Sequence, residues 1–427
     1  LILIRVCLRS PWLWDFLEAA IFPIHLPGTW DARLFITGRE MEYRMKLISL
    51  FAALAAVIGL FANAGRKLFQ WLGPLFPCIG PLPYGIAYGL AVTGILGAFI
   101  VSRVPGNGIF APVFYVCHYL LGFIVYMVML VNLAGLFMFL AGLLRILPAP
   151  LSCRAGVAAG AIPLFLSAAL SVYGAVHGAV IQIKPYEIQI GGQTQEKAPL
   201  RIALISDLHL GYVIGEHHLE KVINAVNSTK PDLVCIAGDI FDGDATALAD
   251  AGTLKDLFLQ IDSVYGVYAC LGNHDAGPSY DRMMEFLSEA GVRVLQDEAV
   301  VIDSRFVLAG RKDSFPIGGQ GERRGSLELP ERTEDLPVIV MDHQPGNIRD
   351  YGEETDLILC GHTHKGQMFP FNLITDAVFD VDYGYYRASV DSPQVIVTSG
   401  AGTWGPPQRV ATDNEVAEIL VMLPVRQ

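Results

Sequence analysis

Between Glu42 and Glu187 the chain contains no acidic residue. A soluble domain of that length would hardly avoid Asp and Glu, since a folded surface in water carries charges of both signs. The same region holds four apolar stretches, at about 47–62, 84–102, 112–144 and 155–183. Each reaches across roughly 30 Å of hydrocarbon as a helix, so an all-α transmembrane domain of about four helices is expected. The third stretch exceeds one span, which predicts a tilt, a kink or an interfacial start carrying Cys117, His118 and Tyr119. His118 and His177 are ionisable groups at membrane depth. With no acidic residue near them in sequence, they read as hydrogen-bonded packing histidines.

Charge marks the domain boundary. Residues 1–184 carry 12 Lys/Arg against 5 Asp/Glu, +7, and residues 185–427 carry 18 against 37, −19, which together recover the chain's −12. Three segments follow: an N-terminal extension at 1–44, a transmembrane domain at 45–184 and an acidic domain at 185–427. Within the extension, 11–22 reads as an amphipathic interfacial helix or as a spurious upstream addition. From Met45 to Ala64 the text also imitates a secretory signal, but three further spans argue against simple secretion. Basic residues in short loops nearly balance, with Arg66, Lys67, Arg145 and Arg154 opposing Arg103, Lys184, Arg39, Arg44 and Lys46. Setting the extension aside makes loops one and three cytoplasmic and places the acidic domain outside the cytoplasm. The signal-like reading of the first span points the other way. In either case the expectation is a multi-pass protein of the cell membrane whose first partner is the lipid bilayer.

The composition, 52% hydrophobic and 17% charged, excludes disordered and collagenous classes. Seven cysteines without a Cys-x-x-Cys pair exclude a disulfide framework or zinc ribbon. Cys235, Cys270 and Cys360 lie in apolar runs and read as small buried hydrophobes.

From residue 200 the pattern changes. Short apolar runs at 200–206, 233–237, 267–271, 338–341, 357–360 and 394–398 read as buried strands. Stretches at 216–227, 247–260 and 280–290 alternate with them as helices, which defines an α/β domain. The segment 311–337, aperiodic and rich in Gly, Pro and charge, is expected to be an inserted surface loop near the site.

What stands at the strand ends carries the chemistry: Asp207-Leu208-His209, Gly238-Asp239, Gly272-Asn273-His274-Asp275, Asp342-His343 and Gly361-His362-Thr363-His364. A strand delivers its next residues to the carboxyl edge of the sheet, where α/β folds assemble ligands from separate loops. Oxygen and imidazole donors without thiolate suit a borderline divalent metal such as Mn, Fe, Zn or Ni. By contrast, Asp242, Asp244, Asp250 and Asp256 read as turn or helix-surface residues, and His217 and His218 as the start of a helix.

Over about 200–421 these residues resemble the calcineurin-like metallophosphoesterase family. The resemblance implies a four-layer α/β/β/α sandwich with two divalent metal ions, Mn foremost, held by loops at the strand ends. Position by position it implies Asp207, His209 and His364 on one ion, Asn273, His343 and His362 on the second, and Asp239 bridging both. His274 is implied to contact the phosphoryl group or protonate the leaving oxygen, with Asp275 orienting it. Further on, Gly366-Gln367-Met368, Tyr383-Gly384-Tyr385, the run from Ser399 to Gly405 and Pro407-Gln408-Arg409 resemble the bacterial membrane-anchored branch. In that branch the last span resembles a twin-arginine export signal; here Arg154 alone precedes it. Lys365 stands where the branch often has Gly. Lys365, Arg311, Lys312 and Arg409 are candidate contacts for substrate phosphate.

General chemistry assigns the same roles. Two cations about 3.5–4 Å apart need a shared anion, and metal-bound hydroxide attacks phosphorus in line without a protein nucleophile. An imidazole at the leaving oxygen supplies a proton in the right range. The expected function is hydrolysis of a phosphodiester or pyrophosphate bond by a membrane-anchored enzyme, on a substrate that the bilayer could present by a lipid tail. A transport or sensing protein that keeps the fold only for binding is the second reading; a degenerate ligand set would favour it. A nuclease is disfavoured by the −19 charge, because phosphate backbones need Lys/Arg stripes.

Overall fold

The computed structural model describes residues 38–103, 108–146, 152–191, 196–243, 245–248, 250–318, 324–330 and 336–425. The expected interfacial helix at 11–22 and Asp244 lie outside them. The described chain falls into two compact units. One joins residues up to Gly97 with Leu120–Val172, and the other joins Ala98–Tyr119 with the chain from Tyr173 onward.

Four long helices occupy the first half: α1 (Gly38–Leu72), α2 (Pro81–Val101), α3 (Ala111–Leu143) and α4 (Cys153–Gly178). All four contain a span long and apolar enough to cross a membrane. Side chains such as Ile48, Phe51, Ile58, Phe137 and Phe139 remain exposed on them, which suits hydrocarbon rather than water. Ala64, Leu68 and Trp71 of α1 pack on Ile124, Val128 and Val131 of α3. Asn63 Nδ2 donates to Asn132 Oδ1 at 2.8 Å in the same unit, which satisfies both amides away from water.

Two expectations need correction here. Arg66 and Lys67 do not sit in a loop after the first span but inside α1, where Arg66 donates to Asn63 and Lys67 lies over the Trp71 ring. The apolar stretch 155–183 is not one element. Its helix stops at Gly178, and β1 (Ile181–Gln189) begins at once, because alternating Ile181, Gln182, Ile183 and Lys184 have a strand partner in β12 (Asn414–Pro424).

The rest builds two six-stranded sheets. The first has order β1-β12-β2-β3-β4-β5, with β2 (Lys197–Ile205), β3 (Leu233–Ala237), β4 (Val267–Cys270) and β5 (Val292–Val294) mutually parallel. The second has order β10-β11-β9-β8-β7-β6, from β6 (Glu298–Ile302), β7 (Phe306–Gly310), β8 (Val338–Met341), β9 (Leu357–Cys360), β10 (Gly384–Tyr386) and β11 (Gln394–Val397). Its inner strands β7, β8, β9 and β11 run parallel.

Period-two alternation divides each strand between two cores. In β2, Leu200, Ile202 and Leu204 face the second sheet, meeting Phe306, Leu308, Ile339, Leu359 and Ile396. Ala203 and Ile205 face outward onto α5 (Glu216–Ser228), α6 (Ala251–Phe258) and α7 (Tyr280–Glu289) through Val222, Leu254 and Phe286. The second sheet's outer face is covered more thinly, by Ile348 of a 3-10 turn with Val381 and by Leu327, Leu329 and Leu336. This is the α/β/β/α sandwich, with one helical layer reduced to turns and loop. Cys235, Cys270 and Cys360 are buried and free within it.

Candidate metal centre

The strand ends turn sharply. Asp207, His209, Asp239, His362 and His364 all have φ between 48° and 73°, a left-handed conformation unusual for residues with a Cβ. Such backbone costs of order 1–3 kcal/mol per residue, and it persists here because the loops are locked together. Gly272 shows how tightly: a Cβ there would stand 2.2 Å from Asp239 Oδ1. At Gly361 it would stand 2.5 Å from Asp207 Oδ2.

These turns bring the seven expected ligands together. Asp207, His209 and His364 place one donor atom each within 4.8 Å of one another, as do Asp239, His343 and His362. His209 Nε2 lies 3.1 Å from His364 Nε2, and His362 Nδ1 lies 3.2 Å from His343 Nε2 and 3.1 Å from Asn273 Oδ1. Asp239 stands between the groups, its Oδ2 3.2 Å from His343 Nε2 and 3.7 Å from His209 Nε2. The far nitrogen of His343 is fixed by the Ala237 carbonyl at 2.8 Å, which turns Nε2 toward the centre.

The donor set fits divalent cations. Burial opposes ionisation of Asp239, yet His343 beside it holds the carboxyl well below the usual carboxylate range. Burial likewise opposes charge on His343, but Asp239 pushes it well above its ordinary value. Its neighbour His362 goes the other way, driven down to about 3 by burial and then by His343. Nitrogen pairs about 3 Å apart cannot all carry protons. A cation among them would satisfy lone pairs that protons cannot, and the mixture of imidazole, carboxylate and amide oxygen suits Mn, Fe, Zn or Ni.

The pattern of Calcineurin-like phosphoesterase matches residues 200–366, which spans every one of these donors. An uncharacterized metallophosphoesterase of Aquifex aeolicus (strain VF5) is 30% identical over 270 residues, 60% of this chain and 98% of that protein. The chain belongs to the calcineurin-like metallophosphoesterases. As a member of that family it is a hydrolase acting on phosphoester bonds. It is also 29% identical over 311 residues to the zebrafish (Danio rerio) "Transmembrane protein with metallophosphoesterase domain", covering 67% of this chain and 70% of that one. Phosphodiesterase YaeI of Escherichia coli (strain K12) is 32% identical over 181 residues, 40% of this chain and 63% of the relative.

The other expected site residues of this metallophosphoesterase are placed differently from one another. His274 lies on the centre, its ring 5.0 Å from that of His209 and its backbone N–H donating to Asp239 Oδ1 at 2.9 Å. The Asp275 carboxylate, expected to orient His274, accepts from the backbone amides of Phe241 and Gly272. Arg409 is not open to substrate, being fully buried with donors on the carbonyls of His364, Ser399 and Gly402 and on Asn414 Oδ1. Arg311 is buried too and donates to the Gly325 carbonyl. Lys365 rests its ammonium 3.9 Å from the centroid of Tyr383.

Two positions carry more than their sequence suggested. Asp242, expected as a turn residue, lies 3.5 Å from His209 Nδ1 and forms a third donor group with His209 and His274. His177 has an acidic partner after all, Asp413 at 2.9 Å and 236 residues away. Neither had a local signal, because each partner comes from a different loop. His118 packs as expected, its Nδ1 2.7 Å from the Phe114 carbonyl.

Proposed function

We propose that the chain is a membrane-anchored metallophosphoesterase that hydrolyses a phosphodiester or pyrophosphate bond at a dinuclear centre, with the 45–184 segment as anchor and 185–427 as catalytic domain. The observation that carries this reading is one carboxylate oxygen, Asp239 Oδ2, facing both imidazole groups. In it, Asp207, His209 and His364 hold one ion, Asn273, His343 and His362 the other, and Asp239 both. A bound pair, Mn foremost, supplies Lewis acidity and lowers the pKa of a water toward neutrality.

The chain's residues do the positioning. Burial keeps His274 neutral, its pKa lowered to about 3, and a neutral imidazole still has one N–H to donate to a phosphoryl oxygen. Asp275 and Arg409 hold the loops that aim the donors. Four helices long and apolar enough to cross a membrane support a substrate that the bilayer presents by a lipid tail. With Arg66 and Lys67 inside α1 the loop charges no longer favour a side, and a reporter fused to the C-terminus tests whether the catalytic domain lies outside the cytoplasm.

The full-length chain in detergent with Mn²⁺ should hydrolyse bis(p-nitrophenyl) phosphate and bind close to two metal equivalents. Asp239→Asn should abolish turnover and leave at most one. Turnover that survives this substitution refutes the shared-carboxylate centre.

A further inference from the structure

Two residues beyond the end of α2, Arg103 belongs to the same compact unit as the sheets, and its side chain is only 9% exposed. Nη1 stands 3.0 Å from Asp242 Oδ1. The guanidinium also stacks over two rings, 4.8 Å from the centroid of Phe99 and 5.5 Å from that of Trp404. Those rings meet edge to face at 5.8 Å. Nε and Nη2 of Arg103 are buried without a hydrogen-bond partner, and so is Nε1 of Trp404.

The cluster adjoins the metal centre on two sides. Asp242 lies 3.5 Å from His209 Nδ1, and the Trp404 ring is 6.0 Å from that of His274. A buried donor without an acceptor forfeits the hydrogen bond it would make to water, so three at one place call for a ligand that accepts. A guanidinium held flat by aromatic faces and fixed at one edge by a carboxylate keeps its remaining N–H groups preorganised. Its planar fork matches two oxygens of a phosphoryl group, a geometry that a lysine cannot offer.

We propose that Arg103, with the Trp404 indole N–H, forms an oxyanion site that binds the non-bridging phosphoryl oxygens of the substrate beside the metal centre. The proposal rests on the phosphoesterase reading above for the identity of the anion. A residue from the end of an apolar helix then completes the catalytic site, so the sheet domain cut away from its helices lacks one of its substrate ligands.

Inorganic phosphate is the probe, titrated calorimetrically into the full-length, Mn²⁺-loaded chain in detergent, with bound metal and hydrolysis measured on the same samples. Arg103→Ala should weaken phosphate binding about tenfold or more at unchanged metal content. Arg103→Lys should recover part of the loss, and Trp404→Phe, which keeps the ring and drops the N–H, should weaken binding about threefold. Unchanged phosphate affinity in Arg103→Ala overturns the proposal. A loss matched by a loss of metal also overturns it, because Arg103 would then act only through Asp242 and His209. Should Arg103→Ala not fold, the other two variants decide, and parental affinity in both overturns it. A parent chain that binds phosphate through Arg103 but never hydrolyses an ester refutes the phosphoesterase reading and upholds the anion site.

Discussion

The carboxylate of Asp275 accepts hydrogen bonds from the backbone N–H of Phe241 and of Gly272, both at 2.9 Å. It therefore ties the loop after β3, which carries Asp239, to the loop after β4, which carries Asn273 and His274.

Asp275→Asn keeps one acceptor oxygen and turns an NH₂ toward an N–H. A buried amide without an acceptor should cost about 1–3 kcal/mol, read as a lower midpoint in denaturant at unchanged slope. Metal affinity should fall with it. A midpoint equal to the parent's would show that the loops do not depend on this carboxylate.

Arg409 donates to three carbonyls, and its Nη2 stands 3.3 Å from His364 Nδ1. Lysine can reach at most part of this fan, so Arg409→Lys should destabilise the fold by about 2–5 kcal/mol. Because His364 loses its brace, metal affinity should drop about tenfold in the same variant. Competition with a metal-sensitive dye measures it, and parental affinity would leave Arg409 a purely structural role.

Asp413 faces Lys184 at 3.2 Å and His177 at 2.9 Å. Partial burial opposes its charge, but Lys184 and then His177 outweigh it and hold the carboxyl below its ordinary value. A carboxylate with a depressed folded pKa stabilises above its unfolded value, about 3.9, and loses that contribution as pH falls through the folded value. Asp413→Asn should thus lower the thermal midpoint at neutral pH, with the difference closing below about pH 4. A gap that stays constant down to acid would rule out the ion pairs as its source.

Chelation should unsettle the sheet domain as well as stop turnover. Removing a ligand held at about 100 times its Kd withdraws about 2.7 kcal/mol. Differential scanning with and without EDTA reads the shift, and Mn²⁺ should restore it. An identical melting curve in EDTA would argue against any metal bound by the folded chain.

Four of the strands that position the site were legible because each is a short fully apolar run ending at a ligand. β3, β8 and β9 begin and end where the apolar pattern does, and β4 falls one residue short of it. The same rule marked the strand-end motifs as the place of the chemistry, since a strand fixes where its next side chain emerges, and the family resemblance singled out the seven expected ligands among them. The first residues of β1, 181–183, continue the apolar stretch of α4 and read as membrane, and only β12 as a pairing partner makes them strand. Asp242 looked like any turn aspartate until His209 and Arg103 were beside it.

The order of residues by itself determined that one part of this chain suits hydrocarbon and that another delivers imidazoles and carboxylates to the edges of sheets, because both properties are local and periodic. Tertiary structure decided which side chains share a neighbourhood across long separations: Arg103 with Asp242, His177 with Asp413, Arg409 with His364. Pairwise electrostatics and hydrogen bonds act over a few ångströms of space and leave no period in sequence. For that reason Arg409 turned from a candidate substrate contact into a buried brace, and Arg103 from a loop charge into a neighbour of the metal centre.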